Sequence, residues 1–161
     1  LRVIQSSVHG YGVIATRPFK KGEIVVYGDG VLYSEDDEFD DTYALVLNDP
    51  HSTEEAPRPD IYWDLADQTR WINHSCDPNT EIDSAWDPKR QSVQAWWVVI
   101  RDIEPGEELF YDYAFLGELA EICACGTDLC RGLIVDEDEF ESVPEELQYR
   151  ITARYRRRRA G

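Results

Sequence analysis

Ten consecutive residues, Arg70-Trp71-Ile72-Asn73-His74-Ser75-Cys76-Asp77-Pro78-Asn79, pack polar, ring-bearing and turn-forming side chains between two apolar runs. Asn73, His74, Ser75 and Asn79 all donate or accept hydrogen bonds, and Asp77-Pro78 forces an extended or turn conformation after Cys76. Composition alone makes this stretch a loop. Downstream, Tyr111-Asp112-Tyr113 puts two phenols on one face of a strand. Phenols can line an apolar channel and still hydrogen-bond, although a Tyr-x-Tyr strand by itself is no more than a half-buried edge. Cys123-x-Cys125-x4-Cys130 brings three thiols close together, a spacing that reads better as metal ligation than as disulfides. Three is one short of a closed tetrahedral zinc site. The other cysteine is Cys76, so the count closes at four. Two disulfides, or plain buried thiols, is the competing reading.

The elements that must position these groups read as short strands. Leu1 to Ser7, Val13 to Thr16, Ile24 to Tyr27, Ile61 to Leu65, Ser92 to Ile100 and Leu109 to Tyr113 are β-forming runs separated by Gly, Pro and Asp. Gly10-Tyr11-Gly12 predicts a tight turn that a second group can approach closely. It is no dinucleotide fingerprint, lacking a third glycine and a following helix. Tyr33 to Ile61 is acidic and less regular, with Tyr43 to Leu47 as a short ordered piece. Helical periodicity enters only after residue 142, where Ser142-Val143-Pro144-Glu145 fits a capping box. Val143, Leu147, Ile151 and Tyr155 form one apolar stripe, and Arg156 to Arg159 place cations at the helix C-terminus. That stripe is expected to pack on the domain or on a second copy of the chain as a homodimer. The whole reads as one mainly β domain.

The 161 residues carry a net charge of −17. All 33 acidic side chains precede Arg150, against ten basic ones, a net −23; the last twelve residues carry six cations. An acidic body repels nucleic acid and attracts cationic partners, so a basic peptide is the expected partner. No apolar run approaches the roughly 20 residues of a membrane helix. The chain has no methionine and starts at Leu1, which reads as a processing boundary without a signal peptide, and the expected setting is soluble and intracellular.

Together these motifs resemble those of the SET-domain protein-lysine methyltransferases. Asn73-His74-Ser75-Cys76-Asp77-Pro78-Asn79 is similar to that family's Asn-His-Ser-Cys-x-Pro-Asn signature, and the Gly-x-Gly, the Tyr-x-Tyr strand and the cysteines occur in the family's order. The resemblance implies small curved β-clip sheets with a threaded, pseudoknot-like C-terminal segment: a SET domain over 1–122 with a variable insert about 34–60, a post-SET zinc segment over 123–134, and an acidic linker and basic amphipathic helix over 135–161. It implies that Gly10, Tyr11, Gly12, Arg70, Asn73 and His74 bind S-adenosylmethionine, whose product is S-adenosylhomocysteine. Tyr113 is the implied catalytic tyrosine, and Tyr111 a product-specificity switch favouring monomethylation. Asp41-Thr42-Tyr43 resembles the insert's entry, which sets Tyr43 beside the target lysine. Cys76 joins Cys123, Cys125 and Cys130 on one structural zinc, and Cys130-Arg131-Gly132 follows the post-SET pattern. The implied substrate is a lysine in a histone or other basic protein, in the nucleus if the source is eukaryotic and in the cytoplasm if bacterial. A catalytically silent zinc-stapled module that binds basic peptides is the alternative, and a nucleic-acid binder working through Arg156 to Arg159 a third reading.

Overall fold

Strands of two to eight residues, built from β-branched and aromatic runs, make up most of the regular structure in the computed structural model, which describes residues 1–153 and Tyr155. β1 (Arg2–Gln5) and β2 (Tyr11–Ile14) form an antiparallel hairpin. The Ser6 amide closes its turn on the Gly10 carbonyl at 2.9 Å. Tyr11 and Gly12, predicted to be part of the turn, already lie in β2. Its extended backbone leaves Gly12 as the point of close approach: a Cβ there would strike the Glu108 carboxylate.

Then come β3 (Ile24–Tyr27), β4 (Gly30–Tyr33), β5 (Ala44–Leu47), β6 (Ile61–Leu65), β7 (Asn73–His74), β8 (Thr80–Asp87) and β9 (Ser92–Val99). Two antiparallel three-stranded sheets have the orders β3-β9-β8 and β4-β6-β5. β9 shows the period of a half-buried strand. Val93, Ala95, Trp97 and Val99 are buried, and the residues between them are partly exposed. Trp97 and Val99 join Trp63, Leu65, Ile72, Ile103 and Leu109 in the main core.

β10 (Phe110–Tyr111) pairs in parallel with β7, setting Phe110 opposite Asn73 and Tyr111 opposite His74. Two-residue strands gain little from their own ladder. Buried Asn79 provides the grip, its Nδ2 donating to the Glu108 carbonyl at 2.8 Å and its Oδ1 accepting from the Phe110 amide at 2.8 Å. Thr80 Oγ1 adds a bond to the Phe110 carbonyl.

β11 (Glu121–Ile122) and β12 (Leu133–Ile134) form a small hairpin framing the cysteines. Leu133 and Val135 start a second core, closed by Phe140, Val143 and Tyr155. Among the described residues the predicted C-terminal helix is interrupted, beginning with the single turn α1 (Glu145–Gln148). Ser142 ends a 3-10 turn, Pro144 is the N-cap, and no side chain caps the helix. Continuation fails because the Thr152 amide bonds the Arg131 carbonyl at 3.0 Å instead of one four residues back. Ala153 and Tyr155 are helical again. The apolar stripe still packs, with Val143 and Tyr155 buried against the domain and Leu147 and Ile151 beside them. Arg156 to Arg159 lie outside the described residues.

Asn79→Ala removes three bonds and strands a buried amide and carbonyl, each costing about 1–3 kcal/mol. A stability loss of about 3 kcal/mol is expected in urea unfolding, as a lowered midpoint at unchanged slope. A loss below about 1 kcal/mol would mean that other contacts hold the crossing.

Candidate active site and cysteine cluster

Where the chain crosses itself, three phenols converge on a cleft of about 720 Å³. Tyr111 and Tyr113 come from the crossing segment, their ring centroids 4.7 Å apart. Tyr113 also packs on His74 and Phe115, and Tyr111 edge-on against the core Trp97. Tyr43 enters from the insert, edge-on to Trp71 with ring centroids 5.2 Å apart, and Arg70 lies with its guanidinium 4.2 Å above the Tyr43 ring. Leu45, Leu47, Ile82, Ile100, Leu116 and Leu119 give the cleft apolar walls, and Asp60 and Glu81 also line it.

The Tyr113 hydroxyl donates to the Ile72 carbonyl at 3.0 Å, so its oxygen lone pairs are left for whatever enters. Burial, reinforced by the Tyr43 phenol, pushes Tyr113 up to about 12. Burial and then Tyr113 raise Tyr111 well above the usual tyrosine range. Both phenols are therefore neutral hydrogen-bonding groups at physiological pH.

Asn73 ties the crossing to the first hairpin. Its Nδ2 reaches the Tyr11 carbonyl at 2.8 Å, the His9 carbonyl at 3.2 Å and Glu108 Oε1 at 3.1 Å. The same Glu108 oxygen accepts from Ser6 Oγ at 2.8 Å, filling the space Gly12 leaves. Buried His74 accepts from the Tyr113 amide at Nδ1, 3.2 Å, which leaves its proton on Nε2, 3.4 Å from Cys76 Sγ. Asp112 Oδ1 lies 3.5 Å from that Nδ1, yet the carboxylate faces Arg131 instead. Both its oxygens are held there at 2.6 Å.

The sulfurs of Cys76, Cys123, Cys125 and Cys130 all lie within 4.8 Å of one another. Tetrahedral zinc with Zn–S near 2.3 Å sets its sulfurs about 3.8 Å apart, so this donor set fits zinc. Backbone amides already point at three of them: Arg131 at Cys76 (3.3 Å), Gly132 at Cys130 (3.3 Å) and Cys125 at Cys123 (3.4 Å). Such donors stabilise thiolates. Cys76 is pulled down to about 4, first by the Cys123 thiol, against burial, and then by the His74 ring and the Arg131 amide. Cys123, which keeps the shared proton, is pushed up.

The structure thus brings Tyr43, Tyr111 and Tyr113 together, and the four cysteines together. Gly10, Tyr11, Gly12 and Asn73 form a second group outside the cleft lining, joined to it by Trp71, whose ring meets both Tyr11 and Tyr43 at 5.2 Å. Arg70, expected with that group, instead lines the cleft. His74 has its side chain engaged by Tyr113 and Cys76, so only its backbone is left for a ligand. Sequence reasoning missed Glu108, Asp112 and Arg131 as site supports. For Arg131 a signal existed: it is the lone basic residue between Arg101 and Arg150, in an acidic stretch.

Residues 10–114 match the SET domain, and the chain belongs to that family. It is 33% identical over 156 residues to the histone-lysine N-methyltransferase Set2 of Drosophila melanogaster, covering 90% of this chain and 7% of that protein. Similarity to the histone-lysine N-methyltransferase ash1 of the same fly is 31% over 131 residues, covering 78% of this chain and 6% of that one. The probable histone-lysine N-methyltransferase set-23 of Caenorhabditis elegans is 36% identical over 138 residues, with 76% and 54% covered. The chain therefore spans a small fraction of the two fly relatives and about half of the nematode one. Among the described residues no helix is long and apolar enough to cross a membrane.

Ultraviolet titration of the folded chain is expected to show the Tyr113 step, found by difference from Tyr113→Phe, near pH 12. The sign for stability follows from linkage: the unfolded phenol ionises near 10 while the folded one stays protonated. Tyr113's contribution is therefore complete below about pH 10 and is lost as pH rises through about 12. A difference step near 10 would contradict the buried placement.

Proposed function

We propose that the chain transfers a methyl group from S-adenosylmethionine to the side-chain amine of a lysine in a basic protein such as a histone. The convergence of Tyr43, Tyr111 and Tyr113 on one cleft beside the Asn73 loop carries this reading. Bound at that loop, the donor would supply an activated methyl group on a sulfonium. Gly10 to Gly12, Asn73 and the His74 backbone are the residues we assign to hold it. The Asn73 amide fastens the hairpin and leaves Oδ1 to accept from the donor. Arg70 braces the Tyr43–Trp71 ring pair between the donor side and the lysine side.

Methyl transfer to an amine is an in-line displacement that asks for alignment, a dry channel and a neutral lysine. Free lysine has a pKa near 10.4, and entry between buried aromatic rings disfavours its ammonium form. The Tyr113 hydroxyl donates its proton to Ile72. Its oxygen therefore faces the reacting centre as an acceptor, suited to a positively polarised methyl group. Tyr111, half-buried in the cleft wall and neutral, presents a hydroxyl that takes up room beside the amine and favours a single methyl transfer. A charge of −23 on residues 1–149, with Asp60 and Glu81 at the cleft, attracts a cationic peptide. The four cysteines hold one structural zinc, with all four positions filled by the chain, clamping the segment after residue 122 onto the Cys76 loop. A nuclear, chromatin-bound setting goes with this substrate.

The test is mass spectrometry of a histone mixture incubated with donor and protein. The wild type should yield mainly monomethyl-lysine. Tyr113→Phe should lose roughly 10²-fold in kcat, and Tyr111→Phe should raise the di- and trimethylated share. Unchanged turnover in Tyr113→Phe would refute the catalytic assignment, and an unchanged product ratio in Tyr111→Phe the preference for one methyl.

A further inference from the structure

Arg131 does not itself line the cleft, yet it is only 3% exposed. Burying a guanidinium is costly unless its geometry is well matched. Here the match is a two-pronged fork, Nη1 to Asp112 Oδ2 and Nη2 to Asp112 Oδ1, both at 2.6 Å. A fork of this kind fixes orientation as well as distance.

Asp112 is the residue between the two cleft tyrosines. Its Oδ1 also accepts from the Ala114 amide at 3.1 Å. Ala114 has φ of +47°, a conformation that side chains other than glycine seldom adopt. One carboxylate thus holds the strained turn that aims Tyr113 and is itself held by the tail.

The far side of Arg131 is clamped too. Its amide donates to Cys76 Sγ at 3.3 Å and its carbonyl accepts from the Thr152 amide at 3.0 Å. Thr152 Oγ1 donates to the Cys130 carbonyl at 2.9 Å. Gly132, at φ +90°, lies against the Arg150 carbonyl, where a Cβ would not fit. Residues 150–152 therefore lock 130–132 in register, well beyond the matched stretch 10–114.

We propose that Arg131 and Asp112 are positioning residues: the fork sets the placement of Tyr111 and Tyr113, and the 150–152 clamp holds the fork, so that turnover and the number of methyl groups added depend on the tail. The activity half of this inference rests on the methyltransferase reading. The geometric half does not.

The experiment compares wild type with Asp112→Asn, Asp112→Glu, Arg131→Lys and Thr152→Val in the full chain. It reads metal content by chelator release, hydrogen exchange of the Tyr113 amide, kcat and KM, and the ratio of mono- to dimethylated product. Asp112→Asn and Arg131→Lys should keep the wild-type metal content while the Tyr113 amide exchanges at least about tenfold faster. Their kcat should fall at least about tenfold with a smaller change in KM, and the dimethylated share should rise. Asp112→Glu should recover part of each change, and Thr152→Val should shift them the same way by less. Unchanged exchange in both Asp112→Asn and Arg131→Lys, or loss of metal in both, would overturn the proposal. If the wild type methylates nothing, the exchange readings still decide: faster exchange at full metal content upholds the positioning link and refutes the methyltransferase reading instead.

Discussion

Asn79 has no exposed surface and uses both ends of its amide on the chain that passes beside it, donating to Glu108 and accepting from Phe110. On this crossing the rest depends. The parallel pairing of β7 with β10 is only two residues long, too short to hold itself in water. With it in place, Tyr111 and Tyr113 stand over the Asn73 loop. The His74 imidazole is then squeezed between the Tyr113 amide and Cys76. The crossing joins segments about 30 residues apart, so its closure entropy must be offset by buried hydrogen bonds and by Leu109 and Ile72 in the core.

Two further contacts tie the neighbouring parts to that knot. Glu108 links it to the first hairpin through Ser6 and Asn73, in the gap kept by Gly12. Cys76 links it to the tail, through the sulfur cluster and the Arg131 amide. The first hairpin, the tyrosines and the cysteines are thus three arms of one polar junction. Such a junction is rigid to the extent that its members are satisfied, and most of its donors and acceptors have partners at 2.6–3.3 Å.

Much of this was legible in the sequence because it depends on local chemistry. Alternation in Ser92 to Ile100 marks a strand, and the cysteine spacing marks a cluster. The resemblance joined Cys76 to that cluster and Tyr43 to the other tyrosines, and the structure brings both sets together. What stayed hidden depends on contacts distant in sequence. Ser142 and Glu145 satisfy the local rule for a helix start, yet the tail breaks at 149–152 because Thr152 is captured by Cys130 and Arg131. Gly12 announces permissiveness but not that Glu108 is what comes close. The contact of Arg70 with Tyr43 was hidden for a similar reason: it needs the insert folded back on the loop. No periodicity encodes that.

The most direct measurement is calorimetric titration of S-adenosylmethionine into the zinc-loaded chain and into Tyr113→Phe. We expect one donor bound per chain at the Asn73 loop; because the Tyr113 hydroxyl, anchored on Ile72, meets only the donor's methyl group, losing that hydroxyl should leave the affinity almost unchanged. Absence of donor binding in the wild type would contradict this, and the site would then be no more than a binding cleft for a basic peptide.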